Sequence, residues 1–226
     1  MKIAFLGNSL TKGSYGGSFV DALKELMPQH EIINAGEGGN TVINLLRRLD
    51  DVLDQEPDGI FVMTGGNDAI SNLYPETRAY YKQVQKIPDG FVTPEQFSRN
   101  YRELLSQIQM RHVLTWVGLP PQEYSQAQVE AMRQYNELAR DVARPLNIPV
   151  LDLMADFVPE HVPEREPLSI RDINRIGEHM RTGWSDYESA RQEGGYTFTF
   201  DGLHPTPEAA EKIARKIADF LQHHAE

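Results

Sequence analysis

Five short apolar runs alternate along the chain with longer stretches whose apolar residues recur every three or four positions. This alternation predicts a parallel sheet covered by helices on both faces, because each parallel strand requires a long crossover to the next. The predicted strands are residues 2–6, 31–34, 59–63, 112–117 and 150–151. The predicted helices are residues 18–27, 41–55, 94–110, 126–146 and a closing helix from Thr206 and Pro207. We therefore expect a three-layer α/β/α fold with about five parallel strands.

The length of 226 residues favours one domain, because it is near the upper end of what a single hydrophobic core supports. Hydrophobic residues make up 40% and charged residues 24% of the chain, as in ordinary globular proteins. Two stretches do not follow the alternation, residues 71–93 and 158–199, and neither has the low complexity of a linker. The expectation is a single domain spanning residues 1–226, with both stretches as ordered insertions.

The charge of the chain argues against nucleic acid as a partner. Lys and Arg number 22 against 33 Asp and Glu, and the net charge of −11 repels phosphate backbones and anionic lipid headgroups. No run approaches the roughly 18 apolar residues that a membrane span needs, and no signal peptide is visible. We therefore expect a cytoplasmic protein without membrane insertion, and the sequence does not indicate its oligomeric state.

The residue types also exclude several kinds of catalytic chemistry. Without cysteine, thiol catalysis and cysteine-based zinc sites are impossible. The seven histidines lack a ligand-type spacing with carboxylates, so no metal site is expected. The glycine-rich residues 7–13 and 36–39 do not have the spacing of a phosphate-binding loop or of a dinucleotide fingerprint. No cofactor is therefore expected.

Small polar residues follow each of the first three predicted strands, where ligands bind in open parallel sheets. Ser9 follows the first strand and is a candidate nucleophile. The Gly39 N–H follows the second strand and the Asn67 amide the third, and both are candidate donors to an oxyanion. The sequence therefore brings the parts of an acyl-transfer site to three adjacent strand ends.

A carboxylate and an imidazole lie close together near the other end of the chain. Asp201 precedes His204 by three positions, a spacing that lets the two side chains form one hydrogen-bonded pair. The pair alone is also compatible with a helix cap, and each glycine-rich loop alone with a tight turn. In combination with Ser9 and Asn67, the pair indicates serine hydrolysis.

Four sequence blocks resemble those of the GDSL or SGNH hydrolase family, which hold a Ser, a Gly, an Asn and a His in this order. The blocks are Gly7-Asn8-Ser9-Leu10-Thr11, Asn34-Ala35-Gly36-Glu37-Gly38-Gly39-Asn40-Thr41, Gly65-Gly66-Asn67-Asp68 and Asp201-Gly202-Leu203-His204-Pro205-Thr206. The resemblance covers residues 1–70 and about 200–221 in detail. It implies a flavodoxin-like SGNH-hydrolase fold and a serine esterase that needs no cofactor.

The resemblance implies a role for each motif residue. Ser9 would be the nucleophile, His204 the general base and then the acid, and Asp201 the partner that orients the imidazole. The N–H groups of Ser9 and Gly39 and the amide of Asn67 would form the oxyanion hole.

One position departs from the family pattern. Asn8 stands where the family usually has an Asp, and it keeps the size and the acceptor oxygen while losing the charge. We therefore expect Asn8 to brace the loop rather than to act through its charge.

The substrate is expected to be a small-molecule ester with a short acyl group on a polar or carbohydrate alcohol. Both insertions mix aromatic and basic residues, unlike a continuous apolar tunnel, and Tyr74 and Trp184 are the candidate substrate-binding residues. Two alternatives stay open: an acylhydrolase of the lysophospholipase or thioesterase type, and a non-catalytic binding module on the same scaffold.

Overall fold

One parallel sheet forms the centre of the computed structural model, which describes residues 1–224. Its five strands within that range are β1 (Lys2–Gly7), β2 (Glu31–Gly36), β3 (Gly59–Met63), β4 (Leu114–Leu119) and β5 (Val150–Asp152). They lie in the order β2-β1-β3-β4-β5, and each neighbouring pair is parallel. The order reverses at β1, so the carboxyl ends of the first three strands lie side by side, as ligand-binding crevices require. The predicted α/β fold with about five parallel strands is confirmed.

Helices cover both faces of the sheet. They are α1 (Ser9–Lys12), α2 (Phe19–Leu26), α3 (Val42–Arg47), α4 (Leu49–Leu53), α5 (Gly66–Leu73), α6 (Arg78–Gln83), α7 (Pro94–Met110), α8 (Gln126–Ala143), α9 (Leu153–Asp156), α10 (Ile170–Thr182), α11 (Tyr187–Gly194) and α12 (Pro207–His224). Alternate residues of β1 enter opposite cores, because side chains in a strand point to the two faces in turn. Ala4 and Leu6 pack with α3, α5, α7 and α8, whereas Ile3 and Phe5 pack with α2 and α12.

The predicted helix over residues 41–55 is wrong in one respect, because it is two helices that meet at Arg48. The backbone of Arg48 leaves the helical region, with φ −110° and ψ 14°. Its guanidinium donates hydrogen bonds to the carbonyl oxygens of Gly7 at 2.9 Å and Ala35 at 2.8 Å, and to Asn40 Oδ1 at 2.8 Å. Arg48 therefore ties the ends of β1 and β2 to the loop that follows β2.

Two element boundaries also differ from the predictions. The fourth strand was expected at residues 112–117 but runs from Leu114 to Leu119, because His112 has a positive φ of 58° and closes the turn after α7. The helix expected at residues 126–146 ends at Ala143, and a 3₁₀ turn with Pro145 follows it. Proline cannot continue a helix interior, because it has no N–H and its ring clashes with the preceding turn.

Helix α10 lies over the carboxyl edge of the sheet, within the stretch predicted as the second insertion. Along its whole described length, residues 170–182, no side chain is fully buried. Ile173, Ile176 and Met180 recur at three- and four-residue spacing on the face that points to the sheet edge. Across residues 1–224, no helix is both long and apolar enough to cross a bilayer.

Candidate active site

The loop between β1 and α1 presents the side chain of Ser9 at the edge of the sheet. Asn8 caps α1, and its Oδ1 accepts a hydrogen bond from the Leu10 N–H at 3.1 Å. A larger residue at position 7 would force neighbouring atoms to move, because a Cβ there would lie 2.1 Å from Thr11 Oγ1 and 2.6 Å from the Met63 carbonyl oxygen. The buried side chain of Asn8 thus performs the bracing expected of it, and Ser9 is the first residue of α1.

Ser9, His204 and Asp201 form a continuous chain of hydrogen bonds. His204 Nε2 lies 2.9 Å from Ser9 Oγ, and His204 Nδ1 lies 2.8 Å from Asp201 Oδ2. Asp201 Oδ1 also accepts the backbone N–H groups of Leu203 at 2.9 Å and His204 at 2.7 Å. Burial raises the pKa of the Asp201 carboxyl, but the attraction of His204 and these hydrogen bonds outweigh it and hold the pKa below its ordinary value. The geometry suits proton transfer from the hydroxyl to the imidazole.

Aromatic rings enclose the His204 imidazole. Tyr15 packs edge-on against it at 5.2 Å between ring centroids, and Phe200 stacks on it at 6.2 Å. The Tyr15 hydroxyl is 2.8 Å from His179 Nδ1 on α10, so this ring also connects the site to the helix above it. His204 is consequently only 5% exposed, which limits the access of water to the base. The sequence motifs gave no signal for Tyr15.

Glu123 holds the backbone that leads into Asp201. Its fully buried carboxylate accepts the N–H groups of Thr197 at 2.8 Å, Phe198 at 2.8 Å and Thr199 at 2.6 Å, and the Thr199 hydroxyl at 2.7 Å. The Glu123 N–H in turn donates to the Gly202 carbonyl oxygen at 3.0 Å. A buried carboxylate is tolerated when several donors satisfy it, as here. From the segment that follows β4, Glu123 therefore holds the loop that carries Asp201 and His204, and sequence reasoning missed it.

The two further candidate donors follow β2 and β3, Gly39 on a loop and Asn67 in the first turn of α5. Gly39 has a positive φ of 77°, and a Cβ there would lie 2.2 Å from the Tyr80 hydroxyl oxygen, so this position requires glycine. Asn67 is the second residue of α5, and its Nδ2 donates to the Asn40 carbonyl oxygen at 3.0 Å. Within residues 1–224, the backbone N–H groups of Ser9 and Gly39 have no acceptor, so both are available to a ligand.

A cleft of about 680 Å³ opens above these residues. It brings together the side chains or backbone of Ser9, Gly39, Asn67 and His204. Its lining includes Tyr80, Tyr81 and Val84 of the first predicted insertion, together with Leu168 and the apolar face of α10. Charged side chains at the cleft are Lys12, Asp172, Glu178 and Arg181.

Neither Tyr74 nor Trp184 lines this cleft itself, and their role in substrate binding stays a prediction. Tyr74 is only 5% exposed and its hydroxyl is 3.1 Å from Ser125 Oγ, because α5 carries the chain into the core before it turns. Trp184 stacks on His179 at 4.2 Å between ring centroids and lines an adjoining depression of about 450 Å³, which shares Tyr15 and Ile176 with the cleft. Tyr80 and Tyr81, which lie in the same predicted insertion as Tyr74, do line the cleft.

The order of the strands and the grouping of Ser9, Asp201 and His204 are those expected of the GDSL/SGNH class. Residues 5–212 match the GDSL-like Lipase/Acylhydrolase family, which is nearly the whole chain. The chain therefore belongs to this family, and the resemblance seen in the four sequence blocks is confirmed.

A relative and several solved structures are similar to the chain. The Bacillus subtilis (strain 168) protein named "Uncharacterized lipoprotein YqeF" is 30% identical over 142 residues, which cover 57% of this chain and 56% of the relative. The acetyl xylan esterase AlAXEase has a TM-score of 0.67 at 20% identity, covering 98% of this chain and 100% of its own. A lipase/acylhydrolase from Enterococcus faecalis has a TM-score of 0.63 at 20% identity, with coverages of 98% and 95%. The solved structures share the fold.

Proposed function

We propose that this protein is a serine esterase in which Ser9 forms an acyl-enzyme. The observation that carries the proposal is the chain of hydrogen bonds from Ser9 Oγ through His204 to Asp201. These three groups supply a nucleophile, a base and an orienting carboxylate within hydrogen-bond reach of one another. Such a reaction uses only groups of the chain and water.

The proposed reaction proceeds in two halves. His204 Nε2 takes the proton of Ser9 Oγ as that oxygen attacks the ester carbonyl carbon, and the resulting tetrahedral intermediate collapses when the imidazolium protonates the leaving alcohol. Water then attacks the acyl-enzyme with His204 as base, and the carboxylic acid leaves as the proton returns to Ser9. Asp201 keeps the Nδ1 proton in place and stabilises the imidazolium.

The oxyanion of each tetrahedral intermediate would be held by the N–H groups of Ser9 and Gly39 and by the Asn67 amide. All three line the cleft, and the two backbone donors have no acceptor among residues 1–224. Donors fixed in advance stabilise the charge that develops in the transition state more than they stabilise the bound ester.

Asn67→Ala tests this assignment. We expect kcat to fall about 10²- to 10³-fold with KM little changed, because one preorganised donor to the oxyanion is lost. Steady-state hydrolysis of p-nitrophenyl acetate measures both constants. A raised KM with an unchanged kcat would identify Asn67 as a binder of the ground state instead. Asn72→Ala, on the same helix α5 but outside the cleft, is the control and should retain wild-type constants.

For the substrate, we propose a short acyl group on a polar alcohol such as a sugar. The charged side chains at the cleft, among them Lys12, Asp172 and Arg181, suit hydroxyl-rich alcohols. Similar folds include acetyl xylan esterases, which act on acetylated carbohydrate by name.

A second candidate function, an acylhydrolase for longer chains, is favoured by the apolar face of α10. Ile173, Ile176, Met180 and Val84 all line the cleft, and burial of methylene groups against apolar side chains of this kind contributes about 0.8 kcal/mol for each CH₂.

The placement of the protein in the cytoplasm stays a prediction, and its relative from Bacillus subtilis is named a lipoprotein.

An ester panel separates the two substrate classes. We expect kcat/KM to fall as the acyl group of a p-nitrophenyl ester grows beyond about four carbons, and acetylated xylo-oligosaccharides to be deacetylated. If kcat/KM instead rises with acyl length, and Ile176→Ser lowers kcat/KM for the long esters, the second candidate function would replace the first. Ile170→Ser is the control, since Ile170 lies on α10 outside the cleft.

A non-catalytic binding module is separated from both by a covalent probe. A fluorophosphonate reacts only with a serine that a neighbouring base activates. We expect it to label the wild-type chain at Ser9, and a chain that stays unlabelled and hydrolyses no ester would contradict the proposed function.

A further inference from the structure

Tyr81 contacts the candidate oxyanion donor Asn67 through its hydroxyl group. Tyr81 lies on α6, within the first predicted insertion, and its hydroxyl donates a hydrogen bond to Asn67 Oδ1 at 2.8 Å. The residue is only 2% exposed. Burial raises the pKa of the Tyr81 hydroxyl well above its ordinary value, so the group stays protonated and remains a donor.

Asn67 is held at both ends of its carboxamide. The Asn40 carbonyl oxygen can only accept, so it pairs with Nδ2 at 3.0 Å and leaves Oδ1 to the Tyr81 hydroxyl. With both ends occupied, the plane of the carboxamide cannot rotate freely. The second Nδ2 hydrogen is therefore kept in one direction and is free for an oxyanion.

The same insertion also holds the loop that carries the other donor. Gln85 Nε2 donates to the Gly38 carbonyl oxygen at 3.1 Å and to the Tyr80 hydroxyl at 2.8 Å. Gln85 Oε1 accepts from Asn40 Nδ2 at 3.3 Å. The two residues that flank Gly39 are thus hydrogen-bonded to one side chain, Gly38 through its backbone carbonyl and Asn40 through its side-chain amide, which restricts the direction of the free Gly39 N–H.

From these contacts we propose that Tyr81, assisted by Gln85, is a positioning residue that preorganises the oxyanion hole. The inference rests on the proposed function, because an oxyanion forms only when Ser9 attacks an ester. Donors that are fixed before the reaction need no reorganisation when the charge develops. Loss of the Tyr81 hydroxyl should consequently affect the transition state and leave the bound ester unchanged.

Tyr81→Phe tests the proposal. We expect kcat for p-nitrophenyl acetate to fall about 10-fold, which is less than the loss of the whole Asn67 donor, with KM within about twofold. The affinity for phenylboronic acid should fall by a similar factor, because its tetrahedral adduct with a serine carries an oxygen in the oxyanion position. In an Asn67→Ala background, Tyr81→Phe should have no further effect, since the group that it positions is gone.

Tyr135→Phe is the matched control for a buried tyrosine hydroxyl. Tyr135 is 1% exposed, and its hydroxyl donates to the Val92 carbonyl oxygen at 2.6 Å, outside the cleft. We expect its kcat to equal that of the wild type. The inference would be overturned by equal losses of kcat in Tyr81→Phe and Tyr135→Phe. It would also be overturned if Tyr81→Phe still lowered kcat in the Asn67→Ala background.

Gln85→Leu provides a second measurement if Tyr81→Phe does not fold. It removes the contacts to Gly38 and Asn40 and should also lower kcat while KM is retained. A change in KM alone would contradict the positioning role. A wild-type chain that neither hydrolyses esters nor reacts with a fluorophosphonate would overturn the proposed function instead, so the two failures are distinguishable.

Discussion

Ser9→Ala should lower ester turnover by roughly 10⁴- to 10⁶-fold, the range found when single members of a catalytic triad are replaced. The variant keeps His204 and Asp201 in place but has no hydroxyl at 2.9 Å from His204 Nε2 to attack the ester. Hydrolysis of p-nitrophenyl acetate and labelling by a fluorophosphonate both measure the loss. Near wild-type turnover in this variant would refute the assignment of the nucleophile.

The loss should arise from chemistry and not from unfolding. Ser9 lies at the edge of the sheet and is partly exposed, so its hydroxyl contributes at most about 1 kcal/mol to the free energy of unfolding. The thermal unfolding midpoint should therefore stay within a few degrees of the wild type. Ser185→Ala, at an exposed serine outside the cleft, should keep both full activity and labelling.

Asp201→Asn should lower kcat about 10⁴-fold, because the neutral amide no longer selects the productive tautomer of His204. The amide keeps one acceptor oxygen, which the N–H groups of Leu203 and His204 engage, so its NH₂ faces Nδ1. The imidazole proton then resides on Nε2. A protonated Nε2 cannot accept the proton of the Ser9 hydroxyl. Steady-state kinetics with p-nitrophenyl acetate measures the effect.

Asp219→Asn is the control for removing one negative charge without changing the shape of the side chain. Asp219 is exposed on α12, which begins shortly after the catalytic loop. We expect its kcat to match the wild type. A loss below about tenfold in Asp201→Asn would argue that the carboxylate only braces the loop.

The arrangement of the sheet and the motif residues could be predicted from the sequence because the rules involved are local. Strand runs have a period of two or are continuously apolar, helices have a period of 3.6, and the carboxyl ends of parallel strands share one edge. These rules place Ser9, Gly39 and Asn67 at neighbouring strand ends, as the structure does.

The supporting residues could not be predicted because they depend on how the insertions fold back. Glu123 contacts backbone 74 to 76 residues further along the chain, and no short pattern marks a carboxylate for that contact. Tyr81 and Tyr74 lie on one predicted insertion, yet the hydroxyl of Tyr81 reaches Asn67 and the hydroxyl of Tyr74 lies against Ser125. Proximity to Asn67 along the chain was therefore a poor guide to proximity in space.

The distance along the chain between Ser9 and His204 has a consequence for synthesis on the ribosome. The proposed nucleophile and the proposed base are separated by 195 residues, and the loop of His204 is held by Glu123 and followed by α12, which packs beside α2. During synthesis, the nucleophile proposed at Ser9 therefore emerges long before the base proposed at His204, which follows almost all of the described fold. An incomplete chain that ends before His204 would thus lack the group proposed to activate Ser9.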